Sequence, residues 1–144
     1  MKDDPISTAR RAYQAYVDKD RAEIETVIGD DFHFTSPLDN RIDRQTYFDR
    51  CWPNSQTIAR FAFVNLVADG ARAFVTYEGQ TTAGKRFRNT EILTVRDGKI
   101  VDAEVYFGWS IPHEAPPGGV VDSTADPGSS PSPASSPRSA AAPV

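Results

Sequence analysis

The sequence predicts an α+β domain: a curved antiparallel sheet closed by three N-terminal helices. Two observations predict the fold. Apolar residues recur at three- and four-residue spacing between Ile6 and Cys51, then alternate from about residue 58 to residue 109. The alternating half is cut into four long runs by Asp69-Gly70, Ala83-Gly84 and Asp97-Gly98, and Asp-Gly is among the strongest hairpin signals in any sequence. A third observation bounds the domain. Every Phe, Trp and Tyr lies between Tyr13 and Trp109, while the last 33 residues hold eight of the eleven prolines and seven serines. Such a segment buries too little apolar surface to offset the entropy of ordering it. The expectation is a folded domain over 1–111 and a disordered Pro/Ser/Ala-rich tail over 112–144.

Asp4-Pro5 supplies a capping carboxylate followed by proline at the first helical position. Ile6, Ala9, Tyr13, Tyr16 and Val17 then form one face of the first helix. Asp20 and Glu23 resemble a capping box for a short second helix that buries Ile24, Val27 and Ile28 and ends at Gly29. Phe32-His33-Phe34-Thr35 alternates as a short strand, stopped at Ser36-Pro37. Asp43 caps a third helix carrying Tyr47, Phe48 and Cys51, which ends near Trp52-Pro53. Four strands follow, over 58–68, 71–82, 85–96 and 99–109. In the last of them Val101, Ala103, Val105, Phe107 and Trp109 are expected on one face, with Asp102 and Glu104 on the other.

Composition excludes several classes of function. Residues 1–111 carry fifteen Lys/Arg against seventeen Asp/Glu, which is not the basic footprint of a nucleic-acid binder. No run approaches the roughly 20 apolar residues that span a bilayer. The acidic N-terminus, Met1 to Pro5, does not read as a signal peptide. The single cysteine, Cys51, suits a reducing compartment, so a cytoplasmic location is expected. Two separated histidines and one cysteine give no metal-ligand spacing, and no glycine-rich phosphate loop is present. Neither a metal nor a cofactor is expected.

Three segments, in this order and spacing, carry a family resemblance: Ala12-Tyr13-Gln14-Ala15-Tyr16-Val17-Asp18, then Phe32-His33-Phe34-Thr35-Ser36-Pro37-Leu38-Asp39, then Asn89-Thr90-Glu91 through Asp97-Gly98-Lys99-Ile100 to Val105-Tyr106-Phe107-Gly108. Over residues 5–111 the chain resembles the nuclear transport factor 2-like superfamily, and within it the SnoaL-like (polyketide cyclase-like) group related to the ketosteroid isomerases. The resemblance implies a cone-shaped fold, with the curved sheet wrapped around a pocket inside the cone, and a homodimer formed through the outer face of the sheet. Of the three functional groups of the isomerases, it places the oxyanion-binding tyrosine on Tyr13 and the carboxylic acid on Glu91. The isomerase base falls on Ser36. A serine hydroxyl is a poor proton acceptor, so steroid isomerisation is not expected.

Glu91 is the most informative residue. Its phase, with Asn89, Leu93 and Val95, directs it toward the pocket, where burial raises a carboxyl pKa and suits it to act as a general acid or neutral donor. The alternative is a structural ion pair with an arginine on a neighbouring strand. Asp39 is a candidate replacement base at the pocket rim, or else turn chemistry. Tyr13 offers a hydroxyl for a polar ligand atom. Tyr16, Phe34, Ser36, Trp52, Asn89 and Phe107 are expected to line the pocket, His33 to face away from the core, and Cys51 to be a buried thiol. Two functions fit this set. One is a cofactor-independent isomerase, cyclase or dehydratase acting on a small apolar carbonyl compound. The other is a non-catalytic module that binds a small apolar molecule in the same cavity.

Overall fold

Three aspartates start the three helices. The Asp4 carboxylate accepts from the Ile6 amide at 3.1 Å, Asp20 from Glu23 at 3.0 Å and Asp43 from Thr46 at 2.9 Å. Each satisfies an amide that the first helical turn leaves without a partner. They open α1 (Pro5–Asp18), α2 (Arg21–Val27) and α3 (Arg44–Arg50). The structure, a computed structural model, describes residues 4–118; most of the tail expected to lack order lies outside the described residues. In α1 the buried face is Thr8, Ala9, Ala12, Tyr13, Ala15 and Tyr16, so the expected Ile6 and Val17 sit half-buried at its margins. The alanines let the helix backbone approach the sheet, and Tyr13 and Tyr16 become its long inward side chains.

The strands are β1 (Ile28–Ser36), β2 (Asp39–Asp43), β3 (Ile58–Asp69), β4 (Arg72–Thr81), β5 (Arg86–Arg96) and β6 (Lys99–Ile111). They form one curved, open sheet in the order β2-β1-β6-β5-β4-β3. The meander β3 to β6 is antiparallel as expected, and so is β1–β2, but β1 runs parallel to β6. That pairing joins segments distant in sequence, and alternation within a strand carries no information about the direction of its neighbour.

Several boundaries correct the sequence reading. The first strand begins at Ile28, so Gly29 lies inside it rather than ending α2. The edge strand β2 is an addition to the expected elements, since Asp-Asn-Arg-Ile-Asp offers a single apolar residue to signal it. After α3 the chain makes a 3-10 turn over Trp52–Thr57. The hairpin between β5 and β6 is the expected one: Arg96 pairs with Lys99, and Asp97 and Gly98 both take positive φ, 55° and 73°.

The helices cover one face of the sheet. β5 buries Phe87, Asn89, Glu91, Leu93 and Val95 there, and β4 adds Ala73, Val75 and Tyr77. In β6 the expected alternation breaks twice. Register shifts near both ends put Ile100 rather than Val101 in the core and turn Trp109 away from it, opposite Arg88. The second shift is a bulge at Gly108. A Cβ there would stand 2.1 Å from the Arg88 carbonyl oxygen, so glycine is required by the close approach of the two backbones. Among the described residues no helix is long and apolar enough to cross a membrane.

Candidate functional site

Glu91 lies at the middle of β5, fully buried. Its cross-strand neighbours on the same face are Val75 on β4 and Val105 on β6, so neither flanking strand brings a charge to it. Neither carboxyl oxygen has a hydrogen-bond partner. The arginine pairing that was the alternative is absent among the described residues: the nearest arginine on β5, Arg88, lies in the opposite phase and pairs with Glu78. Burial without a counter-charge raises the Glu91 pKa well above the ordinary carboxyl range; the nearby phenols of Tyr13 and Tyr77 oppose this more weakly. Burial therefore favours the neutral, proton-bearing form of this carboxyl.

Tyr13 reaches this acid from α1. Its ring meets Phe61, Phe63 and Tyr77 edge-on at 5.3, 5.2 and 5.1 Å. Its hydroxyl is buried without a hydrogen-bond partner. Burial first, and the adjacent Glu91 second, push its pKa well above that of an ordinary phenol. Tyr13 and Glu91 thus face each other as two neutral donors, close enough to interact electrostatically but without a hydrogen bond of normal geometry.

A second layer holds this pair. Asn89 donates to the Tyr77 hydroxyl at 3.3 Å and accepts from the Gly108 amide at 3.1 Å. The bulge in β6 is thereby tied to the ring that lies against Tyr13. Farther along the core the Tyr16 and Tyr47 hydroxyls share a hydrogen bond of 2.6 Å. Tyr16 stacks edge-on with Trp52 at 4.8 Å, and Tyr47 packs on Phe34 at 5.4 Å. Of the expected lining residues, Tyr16, Phe34, Trp52 and Asn89 are therefore buried around the acid's side of the sheet, and Phe107 is half-buried opposite Asn89.

Ser36 and Asp39 form a separate group. Ser36 donates to Asp39 at 3.0 Å and accepts from the Leu38 amide at 3.0 Å. The buried Asp39 carboxylate also pairs with Arg50 at 3.0 Å. Asp39 is thus held at the turn by a side-chain hydrogen bond and an ion pair.

With this geometry in view, comparison with known proteins is informative. Residues 9–103 match the family model of the SnoaL-like domain. The chain belongs to the SnoaL-like domain family. An NTF-2 like protein of unknown function from Burkholderia xenovorans LB400 is 24% identical, with 81% of this chain and 91% of that one aligned at a TM-score of 0.65. An LEH-like epoxide hydrolase of M. tuberculosis is 19% identical, over 72% and 82% of the two chains, at 0.62. A protein of Kribbella flavida DSM 17836, provisionally assigned as a ketosteroid isomerase, is 20% identical, over 78% and 82%, at 0.62. At these identities the likeness is one of fold. No curated protein matches the sequence significantly.

In this SnoaL-like domain Glu91 is not among the residues that line the grooves beside Tyr13, Arg60, Ser36 and Asp20. The sequence singled out neither Tyr47 nor Tyr77 as a partner in this polar layer. A signal for Tyr77 existed: a hairpin centred on Ala83 sets it directly opposite Asn89. Among the described residues no three His, Cys, Asp or Glu side chains gather as they would around a metal ion.

Proposed function

We propose that this SnoaL-like domain is a cofactor-independent enzyme acting on a small, mostly apolar carbonyl compound. In this reading the neutral Glu91 carboxyl and the Tyr13 phenol donate to the carbonyl oxygen and stabilise the negative charge that develops on it during an isomerisation, cyclisation or dehydration. The observation that carries the reading is the pair of adjacent buried donors without partners. Leaving a buried polar group unmade costs about 1–3 kcal/mol, so such a pair calls for an acceptor, and a ligand oxygen between them supplies it. Burial favours the protonated form of both donors, as an oxyanion site requires. Asp39 enters this reading through the turn it orders beside Ser36, since its carboxylate is engaged by Arg50.

The test is a screen of small cyclic and open-chain carbonyl compounds for turnover, repeated with Glu91→Gln and Tyr13→Phe. Loss of one donor to an oxyanion is expected to lower kcat by about a hundredfold or more. Turnover indifferent to both substitutions would overturn the assignment.

The second reading, a binding module without chemistry, is favoured by Ser36 standing where a relative's base would be and by Asp39 being occupied. Recovery of a ligand unchanged from the purified protein, with affinity lost in Tyr13→Phe, would select it. In either case we infer a homodimer through the outer sheet face, where Val67, Tyr106 and Trp109 remain exposed beside the half-buried Phe74 and Ile92. A monomer in sedimentation at micromolar concentration would refute it. The buried thiol of Cys51 fits the reducing environment of the cytoplasm.

A further inference from the structure

A surface groove of about 340 Å³ runs between α1 and β3, with Tyr13, Phe61 and Phe63 among its walls. Tyr13 is the link between outside and inside. The residue contributes to the groove wall, while its hydroxyl is buried beside Glu91.

Two arginines stand over the groove, and their situations differ. Arg11 is committed: its guanidinium pairs with Glu23 and hydrogen-bonds Thr26 at 3.3 Å. Arg10 is exposed and makes no ion pair or hydrogen bond among the described residues; its guanidinium lies 5.3 Å from the Phe63 ring centroid. No carboxylate lines the groove to neutralise it. An unpaired cation held over an aromatic wall, at the mouth of an apolar groove, is complementary to a molecule with an apolar ring and an anionic end.

We propose that this groove is the entry and anchoring subsite for a small ring compound carrying a carboxylate, which pairs with Arg10 while the ring lies against Phe61 and Phe63. The inference rests on the reading of Glu91 and Tyr13 given above and narrows its substrate to anionic carbonyl compounds. The volume suits a molecule of one or two rings. With the carboxylate held at the rim, the carbonyl end points inward at Tyr13, and rotation of that ring opens the way to Glu91.

The experiment uses a fluorophore that reports both ends: an acyl-dimethylaminonaphthalene, compared with the same fluorophore bearing a carboxylate at the end of its acyl chain. Affinity reports the anchor. The emission colour, which shifts to the red when the carbonyl accepts a hydrogen bond, reports the donors. The carboxylated probe is expected to bind the full-length protein about three- to fivefold more tightly than the neutral one, the worth of an exposed charge pair. Arg10→Gln should abolish that preference without weakening the neutral probe, and Arg60→Gln, in the neighbouring groove, should change neither affinity. Equal affinities in the unaltered protein, a preference that survives Arg10→Gln, or no binding of either probe would each overturn the anchor. The colour is read independently: if the Arg10-dependent preference is present but Glu91→Gln and Tyr13→Phe leave the emission unmoved, the anchor stands and the donor reading falls.

Discussion

The Tyr16 hydroxyl meets the Tyr47 hydroxyl at 2.6 Å inside the core, so that α1 and α3 are joined by a hydrogen bond as well as by packed rings. Tyr47→Phe removes the partner of Tyr16 and leaves a buried hydroxyl without one, at an expected cost of about 1–2 kcal/mol. Adding Tyr16→Phe should recover part of that loss, because the orphaned group is then gone. Urea unfolding of the two single variants and the double variant gives the coupling; strict additivity would mean that the bond contributes nothing.

Glu91 gives a pH prediction with a definite sign. Its pKa is raised in the folded protein above the ordinary value of 4.5, so the folded state holds the proton more tightly than the unfolded chain does. The stabilising effect of that proton is complete below pH 4.5 and is lost as pH rises from there to the folded-state pKa. Glu91→Gln, which cannot ionise, should match the unaltered protein in acid and then gain on it by up to about 1.4 kcal/mol per pH unit. Unfolding free energies of the two proteins from pH 4 to pH 9 measure the difference. A constant gap would mean that Glu91 is ionised in the fold.

Gly108→Ala places a Cβ 2.1 Å from the Arg88 carbonyl oxygen, a backbone atom that cannot move aside. A loss of about 1–3 kcal/mol is expected from the forced separation of β5 and β6. The same separation strains the Gly108–Asn89 hydrogen bond and the Asn89–Tyr77 bond behind it. The variant should therefore lose turnover or ligand affinity beyond what its reduced stability explains, as measured well below its melting temperature.

Arg50→Met is expected to cost more than an exposed ion pair, about 1–3 kcal/mol, because the Asp39 carboxylate is buried and would lose its charge partner. Asp39→Asn should be milder, since the amide still accepts from Ser36. If Asp39 instead acts as a base, Asp39→Asn abolishes turnover while Arg50→Met enhances it, and parallel activity and unfolding measurements separate the two roles.

The parts of the fold legible in the sequence are those governed by local chemistry. Asp4, Asp20 and Asp43 were readable as caps because a short carboxylate beside a helical start has one principal use. Asp97-Gly98 was readable as a turn because few pairs adopt two positive φ angles. Glu91 was readable as inward-facing because Leu93 and Val95 share its phase. What escaped depends on relations between distant segments. The parallel β1–β6 pair leaves no local trace. The bulge at Gly108 reverses the facing of Trp109, and a single glycine in an alternating run does not announce whether it is a bulge. Alternation tells which side a ring is on but not how much space the rings leave. Arg10 was passed over for the same reason: only the folded chain shows that the arginine beside it is paired and that it is not.

The burial of Glu91 between uncharged neighbours has a consequence for how this domain responds to dissolved ions. No charge on the flanking strands faces Glu91 for ions to screen, whereas the exposed guanidinium of Arg10 feels them fully. If Arg10 anchors an anionic molecule as proposed, a brackish or a dilute medium alters how readily it is captured more than it alters the donors beneath.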